Sequence, residues 1–187
     1  MRLFARHGFA GTSTDMVVAE AGGSKATLYK YFPTKDDLVR GLMDRVAASI
    51  NRDHVDPELD EMPLAEALTR IGRSALDAIC SEPAMAVYRL CIAELERFPE
   101  LAKTVWKHGP AVTYANFKRF LEKRRERGEL DFEDAQLAAE HFLAGIVGHL
   151  QPRLALRITA APKPAERKRR VAVAVEVFLA AYGTGSE

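Results

Sequence analysis

Prolines and glycines divide this 187-residue sequence into segments in which apolar residues recur with helical spacing. Pro83, Pro99, Pro110 and Pro164 each stand at the start of such a segment, where a proline is tolerated because a first-turn N–H has no partner within the helix. No strand-like alternation with hairpin turns competes with this pattern. We therefore predict an all-α protein, with C-terminal helices at residues 63–80, 83–97, 99–108, 110–127, 133–150 and 164–182.

The N-terminal part contains a segment that ends near residue 8, followed by a short helix. Thr12, with Asp15 three residues later, has the pattern of a capping box at the start of that helix. The helix is predicted to run to residue 21 and to end at Gly22 and Gly23, since glycine is favoured just past a helix end.

Two further helices follow in the N-terminal part. Ser24 is predicted to cap the first, which ends before Pro33 because a proline disfavours helical backbone in the residue that precedes it. Thr34 with Asp37 has the pattern of a second capping box, and its helix is predicted to reach about residue 50. A polar stretch then leads into the C-terminal part. We predict two domains, residues 1–50 and 51–187.

Two short helices joined by a glycine-containing turn form a helix-turn-helix pattern, whose second helix can enter the major groove of DNA. Leu28 and Phe32, four residues apart, would hold this helix to the domain core. Side chains near the N-terminus of this helix would reach the edges of the nucleobases. Basic side chains and hydroxyls that flank them would bind phosphates. The alternative is a solvated basic surface beside two core aromatics. The predicted base contacts are Lys25, Thr27 and Lys30, and the predicted phosphate contacts are Tyr29, Tyr31 and Lys35.

Composition excludes several classes of protein. Basic and acidic residues nearly cancel, at 27 and 26, so the overall charge indicates neither a nucleic acid nor a membrane as partner. Two cysteines are too few for a disulfide framework. The sequence has no signal peptide and no run of about 18 apolar residues. We expect a soluble, cytoplasmic protein without membrane contact.

Signatures of catalysis and of metal binding are weak. The GGSK stretch follows a helix rather than a strand, so it does not form a phosphate-binding loop, and no nucleophile elbow is present. His141 and His149 share a helix face, but no carboxylate or cysteine completes a ligand set at suitable spacing. We predict no enzyme activity, no metal and no cofactor. We predict that the basic run at 167–170 is a solvated helix face, and the alternative is a patch that binds phosphate or nucleic acid.

The last two predicted helices carry long apolar stripes that suggest a homodimer interface built from residues of about 133–150 and 164–182. Small residues beside the stripes would let backbones approach closely. The alternative is that the stripes complete the core of one subunit. The stripe residues are Leu137, Phe142, Ile146 and Leu150, then Val171, Val175, Phe178 and Leu179.

An effector pocket is predicted among the helices of residues 83–150, where aromatic surface and a few polar groups are available. Each of these residues has an ordinary alternative as core or surface. The candidate residues are Tyr88, Cys91, Trp106, His108, Tyr114, Phe117, His141, Phe142 and His149.

The run GFAGTSTDMVVAEAGGSKATLYKYFPTKDDL resembles the DNA-binding domain of the TetR family of bacterial transcriptional regulators, over residues 3–48. The sequence departs from the family pattern at Val18 and Gly23, and it starts inside the family's first helix, which implies a truncated domain and weak operator binding. The resemblance implies phosphate contacts from Ser13 and Thr14, base contacts from Lys25, Ala26, Thr27 and Lys30, and backbone or thymine-methyl contacts from Tyr29, Tyr31 and Lys35.

The stretches YRLCIAELERFPELAKTVWKHG and LEKRRERGELDFEDAQLAAEHFLAGIVGHL resemble the C-terminal domain of AefR-like TetR members, over residues 85–150. The resemblance implies a dimer with an effector pocket, and therefore a repressor that reads two half-sites about 34 Å apart and is released by a small molecule. Activation is the alternative mode. A helical ligand-binding or interaction protein whose truncated motif no longer binds DNA is the alternative function, and a small all-α enzyme is a third.

Overall fold

The computed structural model describes residues 3, 7, 11–38, 40–41, 58–97 and 99–185. Within these residues the regular secondary structure is entirely α-helical. One isolated antiparallel bridge joins the backbones of Leu130 and Gly183. The predicted all-α class is correct. Three predictions lie outside the described residues: the truncated first helix with the segment ending near residue 8, the helix portion beyond residue 41, and the domain boundary at residue 50.

The first two helices of the motif are α1, Thr14–Ala21, and α2, Lys25–Tyr31. Ser13 caps α1, its hydroxyl accepting a hydrogen bond from the backbone N–H of Met16 at 3.2 Å. The prediction that Thr12 is the cap was wrong by one residue, since Thr12 is 1% exposed and lies buried. Gly22 ends α1 at φ +70°, a left-handed conformation that favours glycine.

Ser24 caps α2 as predicted, accepting a hydrogen bond from the N–H of Thr27 at 3.1 Å. The predicted capping box after Pro33 is also present. The Asp37 carboxylate accepts from the N–H of Thr34 at 3.0 Å, and the Thr34 hydroxyl accepts from the N–H of Asp37 at 3.1 Å. Residues 35–38 and 40–41 are helical. These two caps fix where the second and third helices of the N-terminal part begin.

The C-terminal bundle starts with a short helix that the sequence analysis did not predict. The next four helices begin and end close to the predicted residues. Prolines occupy the first turn of α5, α6 and α7, as expected. The helices are α3, Glu58–Glu61, α4, Leu64–Ile79, α5, Glu82–Glu94, α6, Pro99–His108, and α7, Pro110–Glu126.

The predicted helix at 133–150 is interrupted. It forms α8, Ala135–Val147, and α9, Leu150–Ala155, and Gly148 between them has φ +46°. The chain then continues to α10, Pro164–Tyr182, whose bounds agree with the prediction. Gly148 lets the backbone change direction after α8 because positive φ is readily available to glycine.

The bundle core lies between α4, α7, α8 and α10, which pack against one another. Its centre is aromatic: the rings of Phe117 and Phe142 lie 5.0 Å apart, and those of Phe142 and Phe178 lie 5.2 Å apart. The prediction that the apolar stripes form a subunit interface was therefore wrong for most of their residues, which fill this core. The buried stripe residues are Phe142, Ile146, Leu150, Val171, Val175 and Phe178.

Three cations near the end of α7 hold the segment of residues 58–62 against the bundle; we call Lys123, Arg124 and Arg127 the α7 clasp. Arg124 is 3% exposed and donates to both carboxylate oxygens of Glu129 at 2.9 Å and to the carbonyls of Leu59 and Met62. In addition, Lys123 pairs with Asp60 at 2.6 Å, and Arg127 donates to the carbonyl of Asp60. The clasp satisfies backbone carbonyls at the end of α3 that would otherwise lack partners.

Candidate nucleic-acid interface and lateral groove

The outward surface of α2 carries basic, hydroxyl and aromatic side chains. Tyr29 is 46% exposed and Tyr31 is 66% exposed, whereas Leu28 is half-buried. The other residues predicted to contact bases are exposed as well: Lys25, Ala26, Thr27 and Lys30. α2 therefore offers solvent a surface that combines positive charge with hydrogen-bond donors, as a helix that binds DNA requires.

Hydrogen bonds between α1 and α2 orient part of this surface. The hydroxyl of Tyr29 lies 2.9 Å from that of Thr14, and the ammonium of Lys25 lies 2.6 Å from the carboxylate of Asp15. The hydrogen bond that Lys25 donates to Asp15, together with the negative charge of that carboxylate, raises the pKa of Lys25. Both contacts join the start of α1 to α2 at their exposed surface.

Ser13 and Lys35 lie at helix starts on either side of α2. Ser13 is exposed; its hydroxyl oxygen accepts the hydrogen bond that caps α1, and its O–H remains a donor for a phosphate. Lys35 is half-buried, and this burial lowers its pKa while the carboxylates of Glu94 and Asp36 act in the opposite direction. Glu94 belongs to α5, so its electrostatic interaction with Lys35 shows that the start of the third N-terminal helix lies near the C-terminal bundle.

Two of the predicted effector residues, Trp106 and Tyr114, lie together in a groove between α6, α7 and α8; we call it the lateral groove. Its cavity volume is about 860 Å³. The ring centroids of Trp106 and Tyr114 are 6.2 Å apart and the rings are tilted by 31°. Trp106 is 58% exposed, so much of its indole surface faces solvent.

Charged and amide side chains form the rest of the lateral groove. Lys118 lies 3.7 Å from Glu122 on α7, and the Gln136 amide donates to Glu140 at 2.9 Å on α8. Burial raises the pKa of Tyr114, and the nearby charge of Glu140 on the opposite helix raises it further. The sequence analysis did not predict these four residues. Their spacing could have indicated them, because Tyr114, Lys118 and Glu122 on α7 and Gln136 and Glu140 on α8 recur every four residues and so form one stripe on each helix.

The other predicted effector residues do not line the lateral groove. Phe117 and Phe142 are 0% and 1% exposed in the core. Tyr88 and Cys91 are half-buried on α5, and burial raises the pKa of the Cys91 thiol to about 11. The structure therefore does not bring the predicted set together as one pocket. The three histidines also lie elsewhere, His108 half-buried at the end of α6, His141 bonded to the Tyr182 hydroxyl at 2.5 Å, and His149 exposed beside Arg153.

The part of the chain that the structure describes contains neither a metal-binding cluster nor a membrane-spanning helix. There, no three histidine, cysteine or acidic side chains cluster in a way that could hold a metal ion. No helix in the same residues is long and apolar enough to cross a bilayer.

Two protein-family models match this chain. The one described as "Bacterial regulatory proteins, tetR family" matches residues 1–42, and the one described as "AefR-like transcriptional repressor, C-terminal domain" matches residues 66–184. A search of curated protein sequences gave no significant match.

Solved structures agree with the family models. A protein described as the flavonoid-responsive regulator FrrA is 32% identical, with 99% of this chain and 93% of that chain covered and a TM-score of 0.79. A TetR-family regulator from Mesorhizobium loti is 27% identical, with 98% and 92% covered and a TM-score of 0.83. One from Agrobacterium tumefaciens is 28% identical, with 98% and 90% covered and a TM-score of 0.78.

The second family model alone spans more than half of the chain, and the similarity to solved regulators extends over nearly all of it. The protein therefore belongs to the TetR family of DNA-binding transcriptional regulators, with an N-terminal helix-turn-helix and an AefR-like C-terminal domain.

Proposed function

We propose that this protein is a homodimeric repressor that binds a two-fold symmetric operator and is released from it by a small aromatic molecule. The observation that carries the proposal is the exposed surface of α2, where all of the predicted base-contacting side chains are open to solvent. A helix of this kind in each of two subunits can enter successive major grooves on one side of a duplex.

Within the motif, we assign different tasks to different residues. Lys25, Ala26, Thr27 and Lys30 read base edges, because they lie on α2 from its first turn onward. Phosphates are bound by the backbone N–H groups and hydroxyls that begin α1, and by the flanking Tyr29, Tyr31 and Lys35. Thr14 contributes by positioning Tyr29, to which it is hydrogen-bonded.

The dimer is proposed to form through surfaces of α8 and α10 that point away from the subunit core. Leu137 is 47% exposed on α8, and Val173 and Val177 are 49% and 62% exposed on α10. Leu137 lies one residue along α8 from Gln136 of the lateral groove, so this surface borders the groove without being part of it. Two helices from each subunit would then form a four-helix interface.

Support for an aromatic effector comes from one relative and from the lateral groove. The protein described as flavonoid-responsive is 32% identical over nearly the whole of both chains. The indole and phenol rings of Trp106 and Tyr114 in the groove are suited to stacking on a planar ligand. An effector releases the operator if it binds more tightly to the subunit arrangement that cannot span both half-sites.

A DNA-binding experiment tests the proposal. Duplexes selected from a random pool by the purified protein give the operator, and fluorescence anisotropy then measures its affinity at several salt concentrations. We expect Lys30→Ala to weaken binding and Lys35→Ala to lower the slope of log K against log salt by about 1. Lys107→Ala, which removes an exposed charge on α6, is the control and should change neither quantity.

Selection of no specific duplex would contradict the proposal. It would favour the second candidate, a ligand-binding helical protein without operator recognition.

A further inference from the structure

We propose that the end of the bundle where α4 ends and α10 begins binds phosphates of the operator backbone, between the two half-sites that the α2 helices read. We call this surface the basic end; it comprises the Lys and Arg side chains of residues 149–170 together with Arg73 of α4. The inference rests on the proposed function, to which it adds a second DNA contact outside the helix-turn-helix. It takes up the alternative that the sequence analysis left open for the basic run at 167–170.

Positive charge is concentrated in this part of the chain. Residues 149–170 contain seven Lys or Arg and one acidic residue, whereas the whole chain contains 27 basic and 26 acidic residues. The rest of the chain therefore carries a net negative charge. A polyanion that approaches the bundle is attracted chiefly to these residues.

Folding brings this basic segment against a further cation of α4. Arg167 pairs with Asp77 at 2.6 Å, and this contact holds the first turn of α10 beside the last turn of α4. Arg73, one turn earlier on α4, then lies with Arg167 and Lys168 around a notch of about 250 Å³. The described lining of the notch holds these three cations, the one carboxylate of Asp77 and Pro164. The notch is therefore positive even after the ion pair is counted.

Three cations of the basic end are available to an external anion. Among the described residues, Arg73, Lys168 and Arg169 are exposed and form no ion pair. Arg167 and Arg170, by contrast, donate to groups of the protein itself and so hold the surface in shape. Exposed guanidinium and ammonium groups keep donors that phosphate oxygens accept.

The basic end lies on the side of the bundle where the N-terminal helices attach. Glu94 of α5 interacts electrostatically with Lys35, four residues beyond the end of α2. α5 starts at Glu82, three residues after the end of α4, and α9 of the basic segment packs against α5. The opposite end of the bundle, at the α7 clasp, is about 24 Å away along the 16 residues of α4. The available cations are therefore on the same side of the bundle as the helix-turn-helix.

The proposed dimer puts this surface over the middle of the operator. If α8 and α10 form the interface, the start of α10 in each subunit lies close to the two-fold axis. The two α2 helices then lie on either side of the axis, about 34 Å apart. Two basic ends, one from each subunit, would face the phosphates between the half-sites.

An anionic membrane is the competing partner for a basic surface. Leu156 and Ile158, in the same segment, are 71% and 64% exposed and would suit insertion between lipids. DNA is favoured because the helix-turn-helix of this family brings a duplex to this side of the protein. Phosphates on the duplex are then held close to the cations, without a second partner having to be recruited.

The salt dependence of operator binding measures the contact. Lys168→Gln and Arg169→Gln should each lower the slope of log K against log salt by about 1, because each removes one phosphate contact per subunit or less. Arg125→Gln removes an exposed charge at the opposite end of the bundle, and as the matched control it should leave the slope unchanged. Fluorescence anisotropy with the selected operator gives all of these values.

A second measurement changes the DNA and leaves the protein intact. Uncharged methylphosphonates replace the central phosphates of one operator, and the same number of outermost phosphates of another. The central replacement should weaken binding of the unaltered chain, and it should weaken binding of the Lys168→Gln/Arg169→Gln variant much less, since the partners of these phosphates are already gone. The outer replacement should affect both proteins equally.

The outcomes separate this inference from the proposed function. Unchanged salt slopes in both variants, with Lys30→Ala still weakening binding, overturn the basic end and keep the repressor. An equal loss from the central methylphosphonates in the double variant and the unaltered chain overturns it as well. Selection of no duplex by the unaltered chain contradicts both proposals. Binding to phosphatidylglycerol vesicles that Arg169→Gln abolishes, with operator binding unchanged, assigns the surface to a membrane and overturns the DNA contact.

Discussion

The ammonium of Lys25 lies 2.6 Å from the carboxylate of Asp15, so the first basic side chain of α2 is paired with an acid of α1. Both side chains are 61% exposed, which leaves the pair open to competition from DNA. The carboxylate holds Lys25 in place, and it also puts a negative charge close to where phosphates would approach.

Asp15→Asn should therefore strengthen operator binding, because it removes repulsion of the phosphates and frees Lys25. An exposed ion pair has a small net effect, so we expect an increase of at most about fivefold. Fluorescence anisotropy at low and high salt checks this, with Glu126→Gln, the same charge change at the end of α7, as the control. Weaker binding by Asp15→Asn would mean that the carboxylate acts by orienting Lys25.

Thr14→Val and Tyr29→Phe each remove the hydrogen bond between the two hydroxyls, which are 2.9 Å apart. If this bond orients Tyr29 toward the phosphate backbone, each change should weaken operator binding by about two- to tenfold, in line with the net value of one hydrogen bond. The double variant should lose little more than either single variant, which a double-mutant cycle measures. Additive losses would show that the two residues contact DNA independently.

Val177→Glu should separate the proposed dimer, because it puts a charge into the surface of α10 where Val177 is 62% exposed. Light scattering should show monomers, and operator affinity should fall steeply since one subunit reads only one half-site. Ile92→Glu changes a similarly exposed residue, at 58%, on α5, and is expected to leave the subunit number unchanged. A dimeric Val177→Glu protein would contradict the proposed interface.

Arg124→Ala should lower the free energy of unfolding strongly, because Arg124 is 3% exposed and its partners Glu129, Leu59 and Met62 would lose their donor. Leaving buried carbonyls without their donor typically costs about 1–3 kcal/mol. Urea unfolding followed by circular dichroism measures the change. The adjacent Arg125 is exposed, so Arg125→Ala should cost less than about 1 kcal/mol.

Cys91 should react slowly with thiol reagents while the protein is folded. Burial raises its pKa from the ordinary 9.0 to about 11, so the thiolate fraction at pH 8 is about a hundredfold lower than in the unfolded chain. Between about pH 9 and pH 11 the thiol ionises in the unfolded chain but not in the folded chain, so the free energy of unfolding falls as the pH rises through this range. Cys80→Ser isolates Cys91, and its reaction rate with a chromogenic disulfide in native buffer and in urea is the measurement. Equal rates would contradict burial.

Local signals in the sequence predicted where helices begin better than they predicted which hydroxyl does the capping. Ser24 and the box formed by Thr34 and Asp37 were correct, because each has no competing neighbour. At the start of α1, both Thr12 and Ser13 have suitable hydroxyls, and burial of Thr12 at 1% exposure leaves the task to Ser13. Such a choice depends on tertiary packing.

Apolar periodicity predicted α8 and α10 but not the partner of each stripe. A helix face looks equally apolar whether it meets its own subunit or a second copy, so the core residues Ile146 and Val175 could not be told from interface residues. Periodicity also continues across Gly148, where the backbone turns at φ +46°. The lateral groove was only half predicted because Trp106 and Tyr114 were chosen as aromatics, while Gln136 and Glu140 come from a helix that lies next to them only after folding.

α7 contributes to the lateral groove with its middle turns and to the clasp with its final turns. Its 17 residues make a rod about 25 Å long, and a tilt of about 5° around its midpoint would move each end by roughly 1 Å. Lys123, Arg124 and Arg127 bond the end of α7 to residues 58–62, so a displacement of that end would move this segment or strain these contacts. A ligand bound against the groove side of α7 would thereby displace residues 58–62, the described segment that follows the N-terminal helices in the chain.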